Sequence, residues 1–171
     1  MDEKELNDFK QAGKIASKIR EESRSLIMVG ESLLDVAETI EQMIKEEGAK
    51  PAFPVNISIN EIAAHYTPEF GSEASLGEND LVKVDLGIEV NGALSDTAYS
   101  IDLSGKNEKL VQASQDALTK AIATIKPGVK VGDVGGVIEE TIKSFGFKPI
   151  SNLAGHMIRS HELHAGIDIP N

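Results

Sequence analysis

The segment VKVDLGIEVNGALSDTA, Val82 to Ala98, constrains the fold more than any other stretch of the chain. Asn91-Gly92 is a two-residue hairpin signal, because both positions accept a positive φ. Extended runs on either side predict strands at about 81–90 and 93–103. With that turn Val90 faces Ala93 and Asp85 faces Ala98. Asp96, two residues from Ala98, then shares a face with Asp85. The two carboxylates become diagonal neighbours, with Cβ atoms roughly 7–8 Å or less apart. Val82, Val84, Leu86, Ile88 and Val90 point the other way. Inside a sheet, two such carboxylates repel and lose hydration, so something must compensate them. Divalent cations do so with oxygen and imidazole ligands and activate a water. A solvated face, or basic side chains such as Lys83, would do so equally well.

The histidines bear on that choice. There are four, His65, His156, His161 and His164, and three of them fall within GHMIRSHELHAG. A lone buried histidine is usually a satisfied core residue. Three together in a histidine-poor chain, alongside two inward aspartates, read as a site. HELH lacks the spacing of the H-E-x-x-H zinc helix, and Gly155 and Gly166 bracket it. His161 sits among charged residues and is expected at the surface. The candidate constellation is Asp85, Asp96 and His156, with His65 and His164.

Around this segment the chain alternates helices and loops. Leu6, Phe9, Ala12, Ala16, Ile19, Ser23 and Leu26 recur at helical steps. A second helix carries Leu33, Val36, Ala37, Ile40, Met43 and Ile44, with Ser32 and Asp35 at its start and Gly48 with Pro51 stopping it. Residues 53–62 look extended. A third helix carries Leu110, Ser114, Ala117, Leu118, Ala121, Ile122 and Ile125. A fourth carries Val134, Val137, Ile138, Ile142 and Phe145, with Asp133 as expected N-cap. Residues 147–171 are strand-like or irregular.

A shift of about 98 residues exposes a repeat, with about ten matches in roughly 22 positions. Gly30, Asp35, Val36, Ile40, Glu41, Ile44 and Lys45 align with Gly128, Asp133, Val134, Ile138, Glu139, Ile142 and Lys143. Amphipathic helices resemble one another by period alone. The shared G-x-K-P after each helix (Gly48 to Pro51, Gly146 to Pro149) repeats the stop signal as well. The first copy, about 1–105, continues into the acidic hairpin. The second, about 106–171, ends before one, so the expectation is a single catalytic-type domain cut inside its second repeat.

The net charge of −11, from 17 basic against 28 acidic residues, argues against nucleic acid as the main partner. Cysteine is absent, which removes disulfides and thiolate metal sites. MDEKELNDFK lacks a signal-peptide core, and no run approaches the roughly 20 apolar residues of a membrane span. The expectation is a cytoplasmic protein with no membrane partner. No G-x-S-x-G elbow, P-loop or dinucleotide fingerprint occurs.

PAFPVNISINEIAAHYTP (51–68), VKVDLG, SDTA and NLAGHMIRSHELHAGIDIPN together resemble the type II methionine aminopeptidases, most closely the archaeal ones. The resemblance runs along nearly the whole chain. It implies an α/β (α+β) pita-bread fold, also called creatinase/aminopeptidase: two related halves with helices outside a curved antiparallel sheet. It implies removal of the initiator methionine from new proteins by water activated between two divalent metals, Mn, Fe, Co or Zn. Asp85 and Asp96 are implied as the chelating and bridging aspartates and His156 as the histidine ligand. His65 and His164 are implied to contact substrate and stabilise the reacting carbonyl. Phe53 and Leu163 are implied to line the methionine pocket. The family's two glutamate ligands would follow Asn171. The expectation is therefore a fragment or a split enzyme completed by a second chain; the alternative, against which the retained Asp85, Asp96, His156 and His164 argue, is a non-catalytic module binding protein or ribosome. A sheet ending there would also leave unpaired edges and exposed apolar surface.

Overall fold

The computed structural model describes residues 1–171. By its internal contacts the chain divides into two compact units, 1–105 with 159–162, and 106–158 with 163–171.

The first unit opens with α1 (Glu3–Glu22). Asp2 caps it by accepting from the Glu5 amide at 2.8 Å, and acidic Glu3 and Glu5 oppose the positive end of the helix dipole. Ala12, Ile15, Ala16 and Ile19 form its buried stripe. The helix tightens into a 3-10 turn at Ser23–Leu26, where a continuous helix was expected. Ser23 is the reason: its hydroxyl is fully buried and bonds the Tyr99 hydroxyl at 2.9 Å. Helix α2 (Leu33–Glu46) is capped by Ser32, whose Oγ accepts from the Asp35 amide at 3.3 Å. It buries Leu33, Val36, Ala37, Ile40 and Ile44. Burying side chains of this kind stabilises by roughly 1.5–3 kcal/mol each.

Four antiparallel strands make the sheet: β1 (Lys50–Pro51), β2 (Asn56–Ile59), β3 (Leu81–Val90) and β4 (Ala93–Asp102). β2 pairs with the first half of β3 and β1 with the second, so the two lie end to end along one edge. β4 pairs along the whole of the other edge. Only Asn56–Ile59 of the expected extended run 53–62 is strand; Asn60 turns out of it at φ 54°. Val82, Val84, Leu86, Ile88 and Val90 are buried in the core that α1 and α2 cover. Opposite them on β4, Ser95 Oγ donates to the Ala12 carbonyl at 3.2 Å, and Arg20 Nη1 donates to Thr97 Oγ1 at 3.1 Å. These bonds fasten α1 to one face of the hairpin and leave the other face, with both aspartates, to a different use.

In the second unit α3 (Glu108–Thr124) packs against α4 (Val131–Ser144), and β5 (Gly155–His156) pairs with β6 (Asp168–Ile169). The buried stripe of α3 is Ala113, Ala117 and Ala121. Leu118, Ile122 and Ile125, expected on the packed side, are exposed, because close helix approach selects the small residues. Asp133 is not the N-cap of α4. The helix begins earlier, Lys130 stands at the cap, and Asp133 lies in the first turn.

Helices α2 and α4 are each 14 residues long, offset by the same ~98 positions that align the two sequence segments. Their surroundings correspond in detail. Gly30 and Gly128 have φ of 91° and 86°, and Gly48 and Gly146 have 74° and 86°. The closing bonds correspond too: Ala49 N to Ile44 O and Phe147 N to Ile142 O are both 3.3 Å. Glycine at the left-handed position ends each helix without steric cost.

Candidate metal centre

Asn91 and Gly92 have φ of 51° and 90°, the two positive values that a tight hairpin turn requires. The register that follows pairs Asp85 with Ala98 and Gly87 with Asp96. Both carboxylates therefore stand on the face turned away from α1 and α2, one diagonal step apart, at a Cβ spacing of roughly 7–8 Å or less. Their hydration departs from expectation. Asp85 is half-buried and Asp96 exposed. The residues opposite them, Ala98 and Gly87, are too small to cover them.

Lys83 shares this face. Its ammonium donates to the Asn60 carbonyl at 2.8 Å, and burial holds its pKa below the ordinary value while Glu61 pulls it back up. Asn56 stands opposite Asp85 on β2, and its Oδ1 accepts from Thr67 Oγ1 at 2.9 Å. Asp102, at the end of β4, closes the strand by accepting from Ser104 N at 3.1 Å and Ser104 Oγ at 2.6 Å.

His65 is exposed in the loop after β2, with φ 64°, a value unusual for a residue with a side chain. The loop is anchored beside it, since Ile57 N donates to the Tyr66 carbonyl at 2.7 Å. Phe53 is half-buried, and its ring lies over Gly87, where a Cβ would stand 2.7 Å from Phe53 Cδ1 and 2.9 Å from Ala52 Cβ. This contact was not legible from periodicity. The available signal was Gly87 itself, since a glycine within an apolar strand marks a close approach.

In the second unit His156, on β5 opposite Asp168, is half-buried. Its ring centroid lies 4.3 Å from that of His164, tilted by 54°. Two bonds of 2.8 Å, Met157 N to Ile167 O and Ala165 N to Met157 O, hold the two histidine-bearing segments together. Leu163 is half-buried beside them. His161 is exposed, as expected, and groups with the first unit.

The structure thus brings Asp85 and Asp96 together on one hairpin, and His156 and His164 on another segment. Phe53 and His65 belong to the unit of the aspartates, and Leu163 to that of the paired histidines. Within neither unit do three or more histidine or carboxylate side chains gather as a metal cage. The donor chemistry nonetheless fits a divalent ion: two carboxylates at diagonal spacing, and an imidazole held by the backbone pairing of its strand. No helix is long and apolar enough to cross a membrane.

The chain is 53% identical over 161 residues to a methionine aminopeptidase of Methanocaldococcus jannaschii, an alignment covering 94% of this chain and 55% of that one. It is 47% identical over 179 residues to a methionine aminopeptidase of Methanothermus fervidus, covering 97% and 95%. It thus spans little more than half the length of the first of these relatives. The crystal structure of methionine aminopeptidase from Thermotoga maritima superposes with a TM-score of 0.92 at 32% identity, covering 100% of this chain and 72% of that one. The fold is the pita-bread fold of these enzymes, with antiparallel strands and helices as described. The family model of metallopeptidase family M24 matches residues 7–171, so the chain belongs to metallopeptidase family M24.

Proposed function

We propose that this chain carries the aspartate and histidine part of a metal-dependent methionyl aminopeptidase, which removes the initiator methionine from new polypeptides. The observation that carries the reading is the diagonal placement of Asp85 and Asp96 on one face of the hairpin, in a chain of a metallopeptidase family. Like charges at that spacing, in a protein of net charge −11, favour a bound cation. Asp85 and Asp96 would hold it through oxygen and His156 through imidazole, a donor set that suits Mn, Fe, Co or Zn, with two ions in the complete site. Bound there, the metal supplies Lewis acidity and makes water nucleophilic at neutral pH.

The chain's own side chains have the remaining roles. His164 and His65 hydrogen-bond the peptide at the carbonyl under attack and favour the charge that develops on its oxygen. Phe53 and Leu163 offer apolar surface to the methionine thioether. A second chain that supplies two further glutamate ligands belongs to the same proposal. Encounter with nascent chains near the ribosome, in the cytoplasm, belongs to the same proposal.

The test is methionine release from a Met-Ala-Ser peptide with Mn or Co present. Release by the chain, with the glutamate-bearing segment added in trans if needed, and none by Asp96→Asn supports the reading. Equal release by both proteins, or none by the supplemented wild type, contradicts it.

A further inference from the structure

His161 is the one histidine without a role in that reading, and its surroundings are specific. Residues 155–169 form a hairpin-like arm: Gly155 pairs with Ile169, His156 with Asp168, and Arg159 bridges Glu162 around a tip at Ser160-His161. The tip is closed by Arg159 N donating to Glu162 O at 2.9 Å and Glu162 N donating to Arg159 O at 3.1 Å. The Arg159–Glu162 ion pair, at 4.0 Å and well exposed, adds little. The tip is seated on the turn of the aspartate hairpin. The His161 amide donates to the Gly92 carbonyl at 2.8 Å. The His161 ring occupies the space above Gly92, where a Cβ would stand 2.5 Å from Cε1 and 2.8 Å from Cδ2. His161 accepts φ 60° to make this contact, a conformation that costs energy for a residue with a Cβ.

The seat holds the tip of an arm whose neighbouring residues along the chain include His156 and His164. His164 is two residues beyond Glu162 and His156 three before Arg159, so chain geometry leaves them within roughly 7 Å and 11 Å of the seated tip. We propose that His161 is a positioning residue: its ring, lodged on Gly92, holds the arm that presents His156 and His164. The proposal rests on the metallo-aminopeptidase reading for what the two histidines do, and on geometry alone for what His161 does. Without the ring, the bond from the His161 amide to the Gly92 carbonyl is left to hold the tip on the turn. The histidines then sample more positions, and the effective concentration of correctly placed imidazole falls.

The test uses the full 171-residue chain and three variants. His161→Ala removes the ring. His161→Gly also removes it but suits the positive φ, which separates loss of the ring from backbone strain. His161→Phe restores a flat ring. The first readout is metal-independent: imidazole NMR shifts of His156 and His164, with hydrogen exchange of the residue 161 amide. Both shift pairs move and the amide loses protection in His161→Ala and His161→Gly, and both return in His161→Phe. The second readout is Co2+ affinity, expected to weaken roughly 10- to 100-fold in the ring-less variants, as when a group supporting a ligand is lost. Unchanged ring shifts and amide protection in both ring-less variants would overturn the proposal. A wild-type chain that binds no Co2+ counts against the metal reading alone, and the NMR arm still decides the role of His161.

Discussion

Gly87→Ala is the substitution that most directly connects packing to the candidate site. Gly87 is buried in the middle of β3, directly opposite Asp96. An added methyl would meet Phe53 Cδ1 at 2.7 Å and Ala52 Cβ at 2.9 Å, both well inside contact distance. The chain cannot simply move aside, because the Ala52 amide donates to the Gly87 carbonyl at 2.9 Å. Overpacking of this kind costs about 1–3 kcal/mol, partly offset by the ~0.5–1 kcal/mol that alanine gains over glycine in regular structure. For a chain of this size 1 kcal/mol moves Tm by about 2–4 °C, so a fall of several degrees is expected in thermal unfolding. The Phe53 ring must tilt, and the surface proposed for the methionine side chain changes with it. Losing about 1 kcal/mol of apolar contact lowers kcat/KM roughly fivefold. The double variant Gly87→Ala/Phe53→Ala separates the causes. With the ring gone, the cost of the added methyl should shrink to what Ala52 alone imposes, a coupling that a double-mutant cycle measures. If Gly87→Ala costs the same with and without the Phe53 ring, the steric reasoning is refuted.

Three further substitutions test the account elsewhere. Tyr99→Phe breaks the buried bond between Tyr99 and Ser23 and should destabilise by about 1 kcal/mol in urea unfolding. Burial chiefly, against the hydrogen bond shared with Ser23, holds the Tyr99 phenol above its ordinary 10.0. The unfolded chain therefore ionises first, and stability from this group is lost as pH rises past 10. Tyr99→Phe should lack that component of the alkaline decline, and an unchanged alkaline slope would contradict the assignment. Lys130 stands at the N-cap of α4 without a side-chain cap bond, whereas Ser32 supplies one at the matching position of α2. Lys130→Ser should stabilise by about 1 kcal/mol and Ser32→Ala should destabilise by a similar amount. Equal thermal midpoints for both variants and the wild type would show that the two helix starts are not equivalent in this way.

How far the sequence foretold these features depends on the range of the interaction responsible. Asn91-Gly92 admits essentially one tight turn, so the β3–β4 register and the shared face of Asp85 and Asp96 were legible residue by residue. Ser32, Gly48 and Gly146 carried the helix limits for the same local reason. Leu118, Ile122 and Ile125 misled because apolar spacing reports a stripe without saying which side the partner helix takes, and here the partner takes the alanines. Asp133 misled because a good capping residue one turn inside a helix looks like its start. The seats of Phe53 on Gly87 and of His161 on Gly92 join residues distant in sequence. Each left only a glycine as its trace, and a glycine does not name what approaches it. The paired histidines were legible as a cluster, but their ring contact depends on the β5–β6 pairing and its neighbouring backbone bonds.

The proposed reading has Asp85, Asp96 and His156 as ligands of a divalent metal. Calorimetric titration of the purified chain with Co2+, beside Asp96→Asn and Asp85→Asn, tests it most directly. The account predicts saturable binding by the wild type. In each variant the loss should exceed the roughly 10- to 100-fold typical of losing a mere supporting group, with the circular dichroism spectrum unchanged. Equal affinity in all three proteins would place the metal elsewhere and contradict the account.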